Sequence, residues 1–222
     1  MDSDSSPNSD QPNRTPVENS NNEENSPGIR SSISENRFQR FFCIRTRRAH
    51  IRSTHQFNFQ GENDIALMSA KTHGFLGNTV YVGNPNGVHV KTGEYQYVIV
   101  ISKQKSLFTL HQGSETGEVL SNITISTDYG EYIGPRKIGI STPSATWNSE
   151  IPKRKPNGHW QLNFHGQFTI TSCKNAIILD EHSSPVIIIR KIEKNTLELN
   201  VFHETPNQVL FALGISSFLY PN

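Results

Sequence analysis

Hydrophobic and polar residues alternate along most of the chain after residue 36. In the segment WQLNFH, residues 160–165, every second residue is apolar. A period of two, in segments rich in β-branched and aromatic residues, is typical of half-buried β-strands. The pattern predicts strands at about residues 40–47, 54–60, 64–70, 76–82, 95–102, 106–112, 118–126, 136–141, 159–165, 167–172, 176–180, 186–192 and 196–202.

Turn-forming residues separate these segments. QGEND, NPNG and GSETG each combine glycine with asparagine, aspartate, proline or serine, which favour tight turns, and KTGE also contains a glycine. Short strands at such even spacing predict an all-β barrel or sandwich and argue against alternating β–α–β units.

One segment breaks the alternation. Thr205 and Pro206 have the chemistry of a helix N-cap and a first helical position, and residues 209–215 (VLFALGI) are apolar on every side. A helix with no polar face must be buried all round. The sequence therefore predicts an all-β fold with one buried helix, in which the strands form a closed barrel around the hydrophobic C-terminal helix.

The composition divides the 222 residues into two regions. Residues 1–36 contain no aromatic residue and are rich in Ser, Asn, Asp, Glu and Pro. Such a segment cannot bury enough apolar surface to offset its ordering entropy, so we expect a disordered, acidic and polar tail. Residues 37–222 are long enough to close one sizeable core and form the predicted barrel domain.

The sequence also predicts the compartment. No apolar run approaches the ~18–20 residues of a membrane-spanning helix, and MDSDSSPNSD lacks the basic and apolar regions of a signal peptide. Cys43 and Cys173 are then expected to be reduced thiols. These features favour a cytosolic or nuclear protein.

Charge is distributed unevenly, although the formal net charge is only +1. Residues 1–29 are acidic, whereas residues 37–52 contain several arginines and no acid. This arrangement is compatible with an anionic partner for the folded part, and equally with a solvated strand edge that the acidic tail screens.

Sequence motifs for catalysis are missing. The nine histidines form no HxxH or HExxH pair, and there is no CxxC. GISTP and LGISSF do not meet the GxSxG pattern, and neither GxxxxGK[ST] nor GxGxxG occurs. We therefore expect no catalytic residue, no metal ion and no cofactor.

Four segments resemble the C-terminal domain of the tubby-like family. NFHGQFTITSCKNAI (Asn163–Ile177) is similar to the family signature N-F-H-G-R-V-T-x-A-S-V-K-N-F-Q, and FALGISSF (Phe211–Phe218) to A-F-A-I-x-L-S-S-F. GPRKIGIS (Gly134–Ser141) resembles the family's G-P-R-K-M segment, and TWN (Thr146–Asn148) its V-W-N. The four matches occur in the family's order.

The resemblance implies a closed antiparallel barrel of about twelve strands with a central helix. It implies binding of phosphoinositides, in particular phosphatidylinositol 4,5-bisphosphate, without catalysis. By matching segments, IALMSAKTH places Lys71 at a family ligand position, and ISKQKSLFTLH offers Lys103 and Lys105.

Further basic residues are weaker candidates for contact with a membrane surface. They are Arg45 and Arg47 on the first strand, which alternation places on one face, and Lys153, Arg154 and Lys155. The expected partners are phosphoinositide headgroups on the cytosolic face, so the expected location is the cytoplasm and the peripheral plasma membrane, with the nucleus as an alternative.

Two other functions remain open from the sequence. Arginines of residues 37–52 could bind nucleic-acid phosphates, with Phe38, Phe41 and Phe42 as candidates for stacking on bases. The barrel could also serve as a scaffold for unknown protein partners without a lipid site.

Overall fold

A computed structural model describes residues 38–47, 55–73, 78–129 and 133–221. The predicted disordered tail, residues 1–36, lies outside the described residues. The elements are, in chain order, β1 (Gln39–Arg47), β2 (His55–Gln60), β3 (Ala66–His73), β4 (Thr79–Gly83), β5 (Tyr97–Ile101), β6 (Leu107–Gln112), β7 (Val119–Asp128), β8 (Ile133–Ser141), β9 (Thr146–Ser149), β10 (Lys153–Arg154), β11 (Trp160–Gln161), β12 (Ala176–Leu179), β13 (Pro185–Glu193), β14 (Thr196–Val201) and α1 (Asn207–Leu219).

Twelve of these strands form a closed antiparallel barrel, which confirms the predicted fold class. Each strand pairs with its neighbour in the chain, except that β12 pairs with β9 and β1 closes the barrel against β14. In the closing pair Phe41 lies opposite Leu199, and both side chains are in the core. Closure leaves none of these twelve described strands with an unpaired edge, so backbone hydrogen bonding is continuous round the wall.

The up-and-down topology gives the barrel two distinct ends. The upper end carries the connections β1–β2, β3–β4, β5–β6, β7–β8 and β13–β14 and the long segment between β9 and β12. The lower end carries the remaining turns and the connection from β14 to α1. Strands β10 and β11 form a separate two-stranded hairpin within the long segment at the upper end.

The helix α1 occupies the barrel interior, as predicted. Every residue from Val209 to Phe218 is buried. Phe211 stacks on Phe59 with ring centroids 5.1 Å apart, and Phe59 stacks on Phe41 at 5.3 Å. The inward side chains of the strands and all faces of the helix thus share one core.

The start of the helix differs from the prediction. Pro206, with φ −58° and ψ 135°, is the N-cap, and Asn207 is the first helical residue. Thr205 is not the cap, because its hydroxyl donates to the His203 carbonyl at 3.1 Å. The backbone carbonyl of Pro206 accepts hydrogen bonds from Val209 and Leu210.

The strands predicted at 159–165 and 167–172 are wrong, apart from Trp160–Gln161. Residues 162–175, here called the strap, have no regular secondary structure. His165 and Gly166 have φ of 50° and 79°, and the Asn163 side chain accepts a hydrogen bond from the His165 amide at 2.9 Å. This side-chain bond and the two left-handed residues make a turn where alternation predicted an extended chain.

The strap is held against β13 by side chains instead of by a complete strand ladder. The Asn175 side chain donates to the Ile170 carbonyl at 2.9 Å and accepts from the Lys191 amide at 2.7 Å. Gln167 accepts a 3.4 Å hydrogen bond from Asn200 on the outer face of β14.

The sequence did not predict the strand β9, because this strand has only four residues, too few for a periodic pattern.

Gly214 provides a test of the helix position. A Cβ atom at Gly214 would lie 2.6 Å from the Cβ and 2.7 Å from the Sγ of Cys43 on β1. Gly214→Ala should therefore lower the free energy of unfolding by about 1–3 kcal/mol, despite the better helix propensity of alanine. Urea unfolding followed by circular dichroism measures this change.

The double variant Gly214→Ala/Cys43→Gly is the control for that clash. Because it removes the opposing atoms, it should be less destabilised than the sum of the two single variants. Strict additivity of the two single effects would show that α1 and β1 do not meet at this position.

Candidate functional site

Charged residues of the described part of the chain separate between the two ends of the barrel. The basic residues at or near the upper end are Arg45, Lys71, Lys103, Lys105, Arg136, Lys137, Lys153, Arg154, Lys155, Lys174, Lys191 and Lys194. The acidic residues there are Asp128, Glu150 and Glu193. At the lower end the acidic residues are Glu62, Asp64, Glu94, Glu115, Glu118, Asp180, Glu181 and Glu204, and the basic residues are Arg40 and Lys91. Although the net charge is only +1, the described residues place mostly positive charge at one end of the barrel and mostly negative charge at the other.

Lys103 and Lys105 lie together in the β5–β6 turn at the upper end, and both are exposed. The turn is well ordered by hydrogen bonds. The Ser102 carbonyl accepts from the Lys105 amide at 2.8 Å, and the Ser102 hydroxyl accepts from the amides of Ser106 and Leu107 at 3.2 and 3.1 Å. Because the backbone is fixed, the two ammonium groups stay at the rim of the barrel.

Lys71 lies apart from these two lysines, on the outer wall near the upper end of β3. Its ladder partners are Gln56 and Tyr81, and Tyr81 is in turn opposite Val98. Two strand spacings across the sheet and five residues along β5 separate the Cα atoms of Lys71 and Lys103 by roughly 15–20 Å. Within the described residues these lysines thus form two groups, and their shared role as ligands stays a prediction.

An acidic side chain lies on the same wall as Lys71. The Glu115 carboxylate accepts hydrogen bonds from Thr79 and from the Tyr81 hydroxyl, at 3.3 and 3.4 Å. Burial, followed by the negative charge of Glu115, raises the pKa of Tyr81. An anionic ligand at Lys71 would therefore meet a carboxylate nearby, whereas the β5–β6 turn has no such contact among those described.

A second group of cations surrounds the C-terminal end of α1. Arg136 is only 2% exposed and donates to the carbonyls of Ser217 and, at 2.9 Å, Tyr220. Arg45 lies over the Phe218 ring, 4.9 Å from its centroid. The Arg136 guanidinium satisfies carbonyls at the helix end, and both cations oppose the negative end of the helix dipole. Arg136 thus has a structural role at the helix end.

Lys174 interacts electrostatically with these cations. Burial and then the positive charge of Arg136 lower the pKa of Lys174, with smaller contributions in the same direction from Lys191 and Arg45. Burial also lowers the pKa of Arg136. A lysine whose protonation is disfavoured by neighbouring cations would be stabilised by an incoming anion.

The remaining basic candidates lie on or beside the β10–β11 hairpin. Lys153 and Arg154 form β10, Lys155 follows in the turn, and all three are exposed. The side chain of Arg47 lies outside the described residues, so the predicted common face of Arg45 and Arg47 stays a prediction.

Several predicted chemical roles are decided by burial. Phe41, a candidate for stacking on bases, is in the core and cannot reach a nucleic acid; this interpretation was wrong. Ser216 and Ser217 are also fully buried. Among the described residues, no group of three or more His, Cys, Asp and Glu side chains could hold a metal ion.

Residues of the segment Asn163–Ile177, which resembles the tubby-like signature, help to line a cavity beside the strap. The cavity has a volume of about 560 Å³ and lies between the hairpin and the start of β8, with Trp160, Leu162, Phe164 and Cys173 in its lining. Trp160 contacts Tyr129, with ring centroids 5.0 Å apart. The strap and the hairpin thus enclose this cavity together with the start of β8.

Sequence reasoning missed three residues of the upper end: Leu107, Ile151 and Lys191. Leu107 and Ile151 are exposed apolar residues next to basic turns, a local pattern that the sequence does contain. Their common position follows only from barrel closure.

No helix in the described part of the chain is both long enough and apolar enough to cross a membrane. No protein-family model matches the chain, and a search of curated proteins gives no match.

Proposed function

We infer that this chain is a non-catalytic, peripheral membrane module of the tubby-like kind. In this proposal the upper end of the barrel binds phosphoinositide headgroups, such as phosphatidylinositol 4,5-bisphosphate, on the cytosolic face of the plasma membrane. The family assignment rests on the four sequence segments described above, and the orientation rests on the structure.

The observation that carries the proposal is the separation of charge between the two ends of the barrel. A molecule with basic residues at one end and acidic residues at the other orients in the field of an anionic surface. Each lysine or arginine near an anionic leaflet contributes ~1 kcal/mol to binding. The acidic lower end would then point away from the membrane.

The chemistry of the rim also suits phosphate groups. Lys103 and Lys105 present two ammonium groups on one ordered turn, and ammonium groups donate charge-assisted hydrogen bonds to phosphate oxygens. Lys71 on the neighbouring wall would have to contact a different part of the headgroup, because it lies roughly 15–20 Å from the turn.

Vesicle co-sedimentation of the full chain tests the proposal. Vesicles that contain phosphatidylinositol 4,5-bisphosphate would be compared with phosphatidylserine vesicles of equal surface charge. We expect selective binding to the former, and a loss of about 100-fold in Lys71→Ala/Lys103→Ala/Lys105→Ala, since three basic contacts are worth ~3 kcal/mol.

Two further variants separate the parts of this effect. Lys153→Ala/Arg154→Ala/Lys155→Ala should weaken binding to both kinds of vesicle alike, because in this proposal these side chains respond to the surface charge and not to the kind of headgroup. Lys91→Ala, at the lower end, should change neither. Equal binding of the unmodified chain to both vesicles would reject a phosphoinositide site, and binding to neither would favour the scaffold alternative.

A nucleic-acid partner is the second candidate, since the basic end would also attract a phosphate backbone. It would show itself as binding that falls steeply with salt and is indifferent to phosphoinositide isomers.

A further inference from the structure

Two exposed apolar side chains, Leu107 and Ile151, lie beside the basic turns of the upper end. Leu107 is 38% exposed and follows the turn that carries Lys103 and Lys105. Ile151 is 67% exposed and lies two residues before Lys153. Transfer of a large aliphatic side chain from water into an apolar environment is favourable. Because these two side chains lie among cations, this surface is complementary to a partner with both apolar and anionic parts.

Leu107 and Ile151 border one groove on the outer wall. The groove has a volume of about 480 Å³, spans β6 to β9, and includes Ser106 and Lys137 in its lining. The two apolar residues come from segments far apart in the sequence, and the closed barrel places them on the same surface.

The backbone on either side of the groove is fixed. The Leu107 amide donates to the Ser102 hydroxyl at 3.1 Å, and the Glu150 amide donates to the Ile177 carbonyl on β12 at 2.7 Å. Both side chains are thus presented from ordered backbone, which limits the conformational entropy that they would lose on binding.

Cations flank the groove. Lys103 and Lys105 lie on the β6 side, and Lys153–Lys155 follow Ile151 on the other side. Lys137 is in the lining, with its Nζ 4.2 Å from the centroid of the Tyr129 ring. An apolar centre with a basic margin is complementary to the interface of an anionic bilayer, where hydrocarbon lies beneath phosphate groups.

We propose that the groove bordered by Leu107 and Ile151 is a membrane-insertion face. The two aliphatic side chains enter the boundary between headgroups and acyl chains, and the flanking lysines and arginine contact anionic headgroups. This inference rests on the proposed function and adds to it the side of the barrel that meets the bilayer. A nucleic acid would satisfy the cations and leave Leu107 and Ile151 without an apolar partner.

The lower end supplies a matched control. Ile65 is 59% exposed and Val119 is 42% exposed, so Ile65→Ser/Val119→Ser removes similar side chains of similar exposure. The test variant is Leu107→Ser/Ile151→Ser. The full chain and both double variants would be titrated with vesicles of phosphatidylcholine, phosphatidylserine and phosphatidylinositol 4,5-bisphosphate.

We expect the test variant to partition at least about tenfold more weakly than the unmodified chain, because two aliphatic side chains no longer leave water. The control variant should stay within about twofold. In 0.5 M salt the unmodified chain should keep part of its affinity, since apolar contacts are not screened as charges are. Equal partition of the two double variants would overturn the proposal.

A second measurement does not depend on loss of binding. Ile151→Trp and Ile65→Trp would each be mixed with vesicles whose acyl chains carry bromine, and the signal of the native Trp147 and Trp160 subtracted. Insertion predicts quenching and a blue shift for Ile151→Trp and neither for Ile65→Trp. Absence of quenching at position 151 in vesicle-bound protein would overturn the proposal.

Soluble inositol trisphosphate separates this inference from the proposed function. Its affinity should be the same for the unmodified chain and for Leu107→Ser/Ile151→Ser, because the headgroup makes no apolar contact. If the unmodified chain binds no inositol phosphate and prefers no phosphoinositide, the proposed function fails. In that case the quenching of Ile151→Trp still decides whether the groove inserts into an anionic membrane.

Discussion

An Arg136→Leu variant should lose about 3–5 kcal/mol of unfolding free energy. Arg136 is buried, and its guanidinium donates to the carbonyls of Ser217 and Tyr220 at the C-terminal end of α1. Leucine leaves these carbonyls without that donor, at ~1–3 kcal/mol each, and removes the contact over the Tyr220 ring. Urea unfolding followed by circular dichroism measures the difference.

Two comparisons identify the cause of that loss. Arg136→Lys keeps a positive charge but not the planar guanidinium with its several donors, so it should lose roughly half as much unfolding free energy as Arg136→Leu. Lys91→Leu, an exposed cation at the lower end, should change stability by less than ~0.5 kcal/mol. An Arg136→Leu variant as stable as Lys91→Leu would show that the helix end does not depend on this guanidinium.

A Glu198→Ala variant should also lose about 3–5 kcal/mol, because it leaves a buried charge without its partner. Glu198 lies on the outer face of β14, beneath the strap. Its Oε1 accepts from Arg190 at 2.6 Å and is 3.3 Å from Nε of Arg40. Arg190 also donates to the Phe168 carbonyl at 2.6 Å, so the same group attaches the strap to the wall.

The strap gives this second prediction an independent measurement. Glu198→Ala should accelerate limited proteolysis near Phe168 as the Arg190 side chain loses its fixed position. Arg190→Met/Glu198→Leu removes both charges and should recover most of the stability, while the strap still lacks its bond to Arg190. Glu181→Ala, in an exposed pair with His182, is the control and should be neutral. Equal stability of Glu198→Ala and Glu181→Ala would contradict the prediction.

Much of the fold could be predicted because its signals are local. Strands such as β2, β7 and β14 alternate over enough residues to be recognised, and the apolar segment 209–215 had no plausible position except a barrel interior. The strap could not be predicted in this way. Its residues alternate like a strand, but Asn163, Asn175 and Gly166 supply turn and side-chain bonds that compete with a ladder.

The candidate site was less predictable than the fold. Family resemblance directed attention to Lys71, Lys103 and Lys105, and the structure separates the first from the other two across the wall. Leu107 and Ile151 attract no attention as single residues, since isolated exposed hydrophobic residues are normal on protein surfaces. They become informative only because they border one groove among cations.

The sequence by itself determined the all-β class, the buried helix and the basic and acidic residue types, because period, apolarity and charge are properties of local segments. The tertiary structure decided how those charges are arranged. Antiparallel closure sends alternate turns to opposite ends, so lysines and arginines from β1, β3, β8, β13 and the β5–β6 turn gather at one end and the acidic turns at the other. That separation depends on contacts between residues far apart in the chain, which no local pattern contains.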